Sequence, residues 1–384
     1  MIALNCGRII DGTGSAPIIN AVVLIKDGNI AKLGRRDNIA LDGTIQTINL
    51  ESYTVLPGLI DSHDHLGTDL GDEEAQSREA DVYTALRGVK NAREILRKGI
   101  TTLRDMGEKN FIDIHLRRAI EEEIISGPRL LVSGRFITRT GGHVWFEGRE
   151  ADGPYEVRKA VREQIKVGAD LIKIMISGGI STEGSSPIST DYTREEIEAA
   201  VEEAHRSGRK IAAHIHGGEG AEWAIEAGID SIEHGIYLKE KDLALMAIKG
   251  VFLVVTTGVI RAGATDPKVP VFFREKCNEA RSVYADTIRR AREIGVKVVV
   301  GCDELHGQLA NEMTELVNIG FTPIEAIQSA TKFAAELCGL ERQIGTLEEG
   351  KWADCIAVEG NPIEDMTSMD RVKFVAKRGK IIGI

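Results

Sequence analysis

The fold is indicated by residues 168–217, which read GADLIKIMISGGISTEGSSPISTDYTREEIEAAVEEAHRSGRKIAAHIHG. The apolar runs DLIKIMIS and KIAAHI near its two ends have the length and composition of buried strands. Between them, Thr193 and Glu196 form a capping box that opens an amphipathic helix, and Gly208 ends it. A strand, a helix and a second strand in succession predict two parallel strands joined by a crossover helix.

The same alternation extends over most of the chain. Eight strand-like runs occur, with amphipathic helices between several of them: GLIDSH, ITTLRD, RLLVSG, DLIKIMIS, KIAAHI, DSIEHG, VFLVVTT and VKVVVGCD. Eight such units close into a barrel, so we predict an α/β fold built on a (β/α)8 TIM barrel. An open, doubly wound sheet is the alternative. It is disfavoured because no glycine-rich dinucleotide fingerprint follows the first strand.

Both ends of the chain read as β-structure without long helical patterns. Near the start, AVVLIKDGNIAKLG (21–34) places an Asp27-Gly28 turn between two apolar runs, which is typical of a hairpin. The C-terminal part holds the similar runs KWADCIAVEG and RVKFVAKRGKIIGI. We therefore predict a small β domain made of residues 1–57 and 344–384, and a barrel domain made of residues 58–343.

Charge and cysteine content limit the partners and the compartment. The 384-residue chain carries a net charge of −11, and an acidic surface repels nucleic acid and anionic lipid, so neither is expected as a partner. No apolar run reaches the roughly 20 residues that span a bilayer, and the first residues lack the zones of a signal peptide. Five scattered cysteines without a CxxC motif favour the reducing cytoplasm. The expected partner is a small-molecule substrate, and self-association into a homo-oligomer is left open.

Histidines and one aspartate stand at the ends of the predicted strands. His63 and His65 end the first run, His214 the fifth, His234 the sixth and Asp303 the eighth. The carboxyl ends of barrel strands meet at one face, so these side chains should converge there. Side chains two residues apart on a strand point to the same side, so the first two imidazoles can share one ion. Imidazole and carboxylate ligands suit zinc, manganese, iron or cobalt.

Lys173 is the unusual residue of the fourth run, because apolar side chains flank it and an unpaired buried ammonium group is costly. Two solutions are open: an ion pair with a carboxylate, or reaction of the neutral amine with carbon dioxide to give a carbamate. The carbamate is an anionic ligand that can bridge two metals, and burial favours it by lowering the pKa of the amine. In this interpretation His214 and His234 complete the second metal's ligands. Asp303 binds the first metal and accepts a proton from a bridging water, which the metals activate.

Other polar residues near the barrel mouth are candidates for substrate contact. His143 lies in the glycine-rich TRTGGHVW after the third run, and Tyr237 follows the sixth; for Tyr237 an ordinary packed tyrosine is the alternative. His216 is expected beside the ligands, with a purely structural role and a role as a ligand as the alternatives, and His306 is a further candidate after the eighth run. Residues 257–274 contain glycines and prolines without periodicity, so they form either a lid or a plain insertion.

Together these motifs resemble those of the amidohydrolase superfamily. The matching segments are LPGLIDSHDH (56–65), GITTLRDMG (99–107), GADLIKIM (168–175), AAHIHG (212–217), SIEHG (231–235), GCD (301–303) and ATKFAAELCGLERQIGTLEEGKWADCIAV (330–358). The resemblance spans nearly the whole chain and implies a distorted barrel plus a β-sandwich made from both termini. It also implies a binuclear metal centre bridged by Lys173 as N6-carboxylysine. One departure is Asp64 inside the H-x-H motif, which should point away from the metals.

Within the superfamily, TRTGGH, ADLIKIM, AAHIHG and EHGIY are similar to the prolidase-like and arginine-carboxypeptidase-like dipeptidases. This resemblance implies that His143 and Tyr237 hold the substrate. It implies hydrolysis of a dipeptide (Xaa-Pro dipeptidase or carboxypeptidase type) or an N-acyl amino acid by a metal-bridged hydroxide. Asp303 is then expected to hand its proton to the leaving nitrogen. Relatives with the same pattern cleave cyclic or xenobiotic amides, carbamates or esters, and this is the alternative function.

Two other classes of protein fit the sequence less well. A metal-free scaffold protein would have lost ligands, whereas all six candidates are present. A mononuclear deaminase would place an H-x-x-E motif near the fifth strand. Here His214 is followed at that spacing by Gly217, and His216 by Glu219, so the match is imperfect. Lys173 also favours two metals over one.

Overall fold

The computed structural model describes residues 1–41 and 43–383. Its strands are β1 (Ile2–Ile9), β2 (Ile18–Lys26), β3 (Asn29–Arg35), β4 (Gln46–Pro57), β5 (Leu59–Asp64), β6 (Ile100–Asp105), β7 (Arg129–Val132), β8 (Ile137–Thr138), β9 (Arg149–Glu150), β10 (Leu171–Met175), β11 (Lys210–Ile215), β12 (Ser231–His234), β13 (Phe252–Val255), β14 (Val298–Val300), β15 (Cys355–Glu359), β16 (Val372–Lys377) and β17 (Lys380–Ile382).

The helices lie mainly between the barrel strands. They are α1 (Glu73–Ser77), α2 (Asp81–Arg97), α3 (Ile112–Glu121), α4 (Pro154–Val167), α5 (Arg194–Arg206), α6 (Glu219–Ala227), α7 (Glu240–Lys249), α8 (Thr257–Gly263), α9 (Val271–Arg281), α10 (Tyr284–Ile294), α11 (Leu309–Ile319), α12 (Pro323–Ser329) and α13 (Lys332–Cys338). Short 3-10 helices cover Arg36–Asn38, Lys109–Phe111 and Met366–Asp370. Within the described residues, no helix is both long and apolar enough to cross a membrane.

The eight predicted strand runs form the barrel. β5, β6 and β7 make one parallel sheet, and β10 to β14 make a second parallel sheet with β8 and β9 at its edge. Isolated hydrogen bonds join the two sheets: Asp170 N donates to Val132 O at 2.8 Å, and Asp303 N donates to His63 O at 2.9 Å. The ring therefore closes without continuous ladders at its two seams. This is the distorted (β/α)8 barrel that the sequence predicts.

Strands from both termini form one mixed seven-stranded sheet in the order β17-β16-β15-β4-β1-β2-β3. The sheet turns back on itself, since Ile30 N donates to Lys351 O at 2.8 Å and Ala353 N donates to Gly28 O at 2.9 Å. It encloses a core of its own, to which both termini contribute: Leu4, Cys6, Val23, Val55, Ala357 and Phe374. The predicted terminal β unit is confirmed, and the domain boundaries given above stay a prediction.

The helix signals in the sequence correspond to real helix ends. Thr193 and Glu196 form the predicted capping box, with Glu196 N donating to Thr193 Oγ1 at 3.4 Å and Thr193 N donating to Glu196 Oε2 at 2.7 Å. Thr322 caps α12 in the same way, with proline at its first position. The apolar faces of these helices are buried against the barrel. Each fully buried leucine, isoleucine or valine contributes about 1.5–3 kcal/mol to that packing.

Residues 257–274 differ from the irregular segment that the sequence suggests. They contain all of α8 and the start of α9, and Pro270 stands directly before α9. Phe273 packs so closely on α8 that a Cβ on Gly263 would lie 2.7 Å from its ring. The sequence shows no helical periodicity here because the stretch is divided between α8 and the first four residues of α9, with seven residues between the two helices. A lid motion of this segment stays a prediction.

Candidate metal centre

A cavity with an empty volume of about 660 Å³ lies at the carboxyl ends of the barrel strands. All six predicted metal ligands line it: His63, His65, Lys173, His214, His234 and Asp303. They come from β5 and the residue that follows it, from β10, β11 and β12, and from the turn after β14. The barrel therefore brings together groups that are up to 240 positions apart in the sequence, from 63 to 303.

His63, His65 and Asp303 are placed to share one cation. Their potential ligand atoms all lie within 4.8 Å of one another. Asp303 Oδ1 is 3.4 Å from His63 Nε2 and 4.0 Å from His65 Nε2. The other ring nitrogen of each histidine is already engaged, with Glu233 Oε2 at 2.7 Å from His63 Nδ1 and Gly107 O at 2.8 Å from His65 Nδ1. Both Nε2 atoms are thus directed at the aspartate.

His214 and His234 stand opposite this group. Their ring centroids are 4.8 Å apart, and the His234 ring is also 4.8 Å from the His63 ring. His234 Nδ1 is hydrogen-bonded to Thr256 Oγ1 at 2.8 Å, which fixes the ring. His214 Nε2 lies 3.2 Å from Gly178 O. Lys173 on β10 is 1% exposed and lines the same cavity.

Burial sets the protonation of these groups. It lowers the pKa of His65 to about 4 and holds the pKa values of His63, His214 and His234 well below their usual range, so these imidazoles are neutral and have free lone pairs. Burial also lowers the pKa of Lys173 to about 8 and raises that of Asp303 to about 7. Neutral imidazole nitrogens and a carboxylate oxygen are the ligand atoms that zinc and similar divalent ions bind. The donor set fits such ions, and both the number of ions and the ligand assignment stay predictions.

A buried ion pair lies directly behind His63, and sequence reasoning missed it. Glu233 accepts hydrogen bonds from Arg104 Nη2 at 2.6 Å and from Ser231 Oγ at 2.6 Å, in addition to its contact with His63. Arg104 Nε also donates to Ser62 O at 2.7 Å. A carboxylate behind a histidine fixes its tautomer and raises its strength as a ligand. The available signal was a charged residue inside each of the runs ITTLRD and DSIEHG.

The backbone at the rim of the cavity is strained. His234 (φ 70°), Asp303 (φ 50°) and Glu304 (φ 70°) all lie in the left-handed region, which L-residues other than glycine rarely adopt. Each such residue costs on the order of 1–3 kcal/mol and persists only where the surrounding structure imposes it. Strain of this kind concentrates at functional sites, and here it holds three side chains at the cavity wall.

His143 lies where the sequence places it, beside the predicted ligands. It lines the cavity, its ring centroid is 4.3 Å from that of His214, and its Nδ1 is hydrogen-bonded to Thr182 Oγ1 at 2.8 Å. The ring fits only because residue 179 is glycine, since a Cβ on Gly179 would lie 2.1 Å from His143 Cε1. Tyr237 is half-buried close by, with its N donating to His216 O at 2.7 Å, but its side chain is not part of the cavity lining.

The last two histidines have different surroundings. His216 is buried in the cavity wall, its Nδ1 has no hydrogen-bond partner within the described residues, and burial lowers its pKa to about 3. His306 lies outside the cavity lining and binds Asp64 Oδ2 at 2.9 Å and Thr68 O at 3.0 Å. Burial opposes its charge, but Asp64 and Asp69 raise its pKa to about 10. Asp64 therefore contacts His306 at this point and does not line the cavity.

Further acidic and apolar groups complete the cavity, and the sequence did not single them out. The acidic ones are Glu73, Glu147 and Glu304, and apolar walls come from Phe136, Ile180, Val259, Ile260 and Phe273. They lie on connecting segments and short helices, which carry no strand or motif signal.

Known proteins resemble this chain in sequence and in fold. The model of the Amidohydrolase family matches residues 54–382. Ochratoxinase of Aspergillus niger is 33% identical over 98% of this chain and 86% of its own length. A crystal structure of an Xaa-Pro dipeptidase with methionine bound in its active site is 34% identical, covers 99% of both chains and has a TM-score of 0.93. A prolidase complexed with N-methylphosphonate-L-proline is 29% identical with a TM-score of 0.94 over 99% of both chains. The family match over most of the chain and the ligand-bearing barrel agree, and the protein belongs to the amidohydrolase family and is a hydrolase.

Proposed function

We propose that this hydrolase is a binuclear metal-dependent enzyme that cleaves the amide bond of a dipeptide or an N-acyl amino acid. The observation that carries the proposal is the convergence of four neutral imidazoles, one buried lysine and one aspartate on a single cavity. The Xaa-Pro dipeptidase and the prolidase that this chain resembles support a dipeptide-like substrate.

The six proposed ligands form two groups, one for each ion, and a lysine that bridges the two ions. His63, His65 and Asp303 would hold one ion, and His214 and His234 the other. Lys173 would hold both as N6-carboxylysine. Two divalent ions, expected to be zinc, with manganese, iron or cobalt also compatible with these donors, would acidify a water molecule and polarise the amide carbonyl.

Lys173 becomes a ligand by reacting with carbon dioxide. The neutral amine nitrogen forms a bond to the carbon of carbon dioxide and loses one proton to solvent, which leaves an anionic carbamate with two oxygens. Burial favours the reaction because it disfavours the ammonium form and leaves the neutral amine available. A buried anion next to two cations is also more stable than a buried ammonium group would be.

Asp303 is the proposed acid–base residue. Its Oδ1 faces the Nε2 atoms of His63 and His65, and its backbone is held in place by the bond from its N to His63 O. It would accept the proton of the attacking water and deliver that proton to the leaving nitrogen. His143 and Tyr237 are the proposed substrate contacts. His143 is supported by its place in the cavity lining, and Tyr237 by sequence resemblance alone.

A substrate survey tests the proposal. The enzyme, with zinc, manganese or cobalt restored, is assayed at steady state against Xaa-Pro and Xaa-Arg dipeptides and N-acetyl amino acids. We expect turnover of at least one of these classes, and its loss on chelation. An enzyme that hydrolyses none of them while it opens a lactone or cleaves a carbamate would refute the peptidase assignment.

The alternative function is hydrolysis of a cyclic or xenobiotic amide, carbamate or ester at the same centre. Its support is the similarity to the Aspergillus niger ochratoxinase over nearly the whole of this chain. The same survey separates the two functions when aromatic amides, carbamates and lactones are included as further substrates.

A further inference from the structure

Three glutamates line the cavity outside the proposed ligand set. Glu73 begins α1, Glu147 lies between β8 and β9, and Glu304 directly follows Asp303. They come from three separate segments of the chain and reach the same space. Glu73 and Glu147 are close enough to Glu304 for their negative charges to repel its carboxylate. We call these three residues the glutamate triad.

No lysine, arginine or histidine within the described residues forms an ion pair with the triad at 4.0 Å or less. Cations that act on Glu147 from further away are already occupied. Lys109 Nζ donates to Ser77 O at 2.9 Å, and Arg135 Nε donates to the backbone O of Glu147 at 3.0 Å. Burial raises the pKa of Glu73 to about 8 and that of Glu147 to about 7, so these carboxyl groups take their charged form when a cation lies beside them.

Among the three glutamates, Glu304 gives the clearest indication that a hydrogen-bond donor is missing from the cavity. The residue is 8% exposed, it lines the cavity, and its Oε2 has no hydrogen-bond partner within the described residues. A buried acceptor without a donor costs about 1–3 kcal/mol, and more when it is charged. Such a group calls for a physical explanation, and a bound molecule that supplies the donor is one that its place in the cavity lining favours. The donor that best matches several adjacent carboxylates is a cation with more than one N–H group.

We propose that Glu73, Glu147 and Glu304 bind a positively charged group of the substrate, an ammonium or guanidinium, so that this cavity selects cationic substrates over neutral ones. The inference rests on the proposed function, since it names the substrate class of the same site. Val259, Ile260 and Phe273 line the cavity as well, and they can pack against the alkyl part of an amphipathic cation. The cation is either the amino terminus of a dipeptide or a basic side chain.

Matched substrate pairs test the inference and distinguish these two sources. L-alanyl-L-proline is compared with L-lactoyl-L-proline, in which a hydroxyl replaces the ammonium group. N-acetyl-L-arginine is compared with N-acetyl-L-citrulline, in which a neutral urea replaces the guanidinium. We expect kcat/KM for the cationic member of at least one pair to be about tenfold higher, the effect of one charged hydrogen bond. The pair that shows the preference identifies the source of the charge.

A binding measurement keeps the inference separate from the proposed function. Calorimetry on the metal-loaded enzyme compares L-alanine with L-lactate and L-arginine with L-citrulline. If no amide is hydrolysed, the proposed function fails, and the ratio of dissociation constants within each pair still decides the inference. A cationic-to-neutral ratio near one in both pairs, whether of kcat/KM or of the dissociation constants, would overturn the inference.

Glutamine variants connect the preference to the triad. Glu304→Gln and Glu147→Gln keep the size of the side chain and should bring the cationic-to-neutral ratio down towards one. Should Glu304→Gln not fold at its strained position, Glu147→Gln still provides the test. The control is Glu74→Gln, because Glu74 lies on α1 beside Glu73 but pairs with Arg78 at the surface, and it should keep the wild-type ratio. An unchanged ratio in the triad variants, or a loss of bound metal by elemental analysis, would overturn the inference.

Discussion

His63 Nδ1 and Glu233 Oε2 lie 2.7 Å apart, and both side chains are almost completely buried, at 1% and 0% exposure. Arg104 and Ser231 hold the same carboxylate from the other side. The imidazole therefore cannot turn, and its Nε2 stays directed towards Asp303. A polar network behind the cavity thus fixes the orientation of a residue that faces the proposed metals.

Replacing this carboxylate should weaken metal binding. Glu233→Gln removes the charge that orients His63, and we expect metal affinity to fall roughly 10- to 100-fold. It also leaves Arg104 buried without a counter-ion, so the free energy of unfolding should fall by roughly 3 kcal/mol. Competition with a chelator measures the first effect and denaturant titration the second. Glu222→Gln, at an exposed ion pair with Lys241, serves as the control. Equal metal affinity in the two variants would argue against the orienting role.

The bridging role of Lys173 makes a prediction about metal content. Lys173→Ala removes the proposed carbamate, and the variant should lose most of its bound metal while remaining folded. Elemental analysis after dialysis measures the metal, and circular dichroism checks the fold. Lys268→Ala, at an exposed lysine, should keep the wild-type content. Near-full metal content in Lys173→Ala would contradict the bridging role.

The buried pair of His306 and Asp64 should make stability depend on pH. The pKa of His306 is raised from 6.5 to about 10, because the charges of Asp64 and Asp69 outweigh burial, so the folded state binds this proton more tightly than the unfolded chain. The stabilisation is therefore complete below about pH 6.5 and is lost as the pH rises towards 10. His306→Gln should cost roughly 3 kcal/mol near pH 6 and little near pH 10.

Denaturant titrations of wild type and variant across this pH range check the prediction. The control is His205→Gln, because His205 pairs with Asp230 at 2.9 Å but on the exposed surface, where such a pair contributes roughly 0–1 kcal/mol. A loss of stability in His306→Gln that is the same at both ends of the pH range would show that packing, and not charge, is what the histidine supplies.

Glu312 should control the position of α8. This buried carboxylate accepts hydrogen bonds from Thr257 N at 2.9 Å, from Thr257 Oγ1 at 2.7 Å and from Gly258 N, and so fixes the start of a helix that lines the cavity. Glu312→Gln turns an N–H group towards these donors, and it should cost roughly 2 kcal/mol of stability. KM should rise more than kcat falls, because the cavity wall moves and the proposed ligands do not.

Steady-state kinetics and denaturant titration measure both effects of this substitution. Glu293→Gln, at an exposed position on α10, is the matched control and should change neither quantity. If Glu312→Gln lowers kcat and leaves KM unchanged, the helix is not acting as part of the binding wall.

The regular parts of the fold could be predicted because short-range patterns encode them. Strand runs such as DLIKIMIS follow from a continuous apolar composition, and the start of α5 follows from the Thr193–Glu196 capping box. Helices α8 and α9 were missed because each is short and Pro270 interrupts the stretch that they share. Their helical form depends on contacts with other segments, such as the bond from Thr257 N to Glu312.

For the site, the sequence by itself determined which groups end the barrel strands. His63, His65, His214, His234 and Asp303 could be placed at one face because the carboxyl ends of parallel strands in a barrel meet there. Their convergence on one cavity agrees with that reasoning. The side chains of Tyr237 and His306 lie outside the cavity lining, because a position shortly after a strand does not fix where a loop side chain points.

Only the tertiary structure decided which groups support and surround that site. Glu233 contacts His63 across 170 residues, and the glutamate triad comes from three unrelated segments. Burial, which shifts the pKa values of the histidines and of Lys173, is likewise a property of the folded barrel. Local sequence fixes backbone conformation through neighbouring residues, whereas hydrogen bonds between distant segments and the loss of water exist only after the chain has closed on itself.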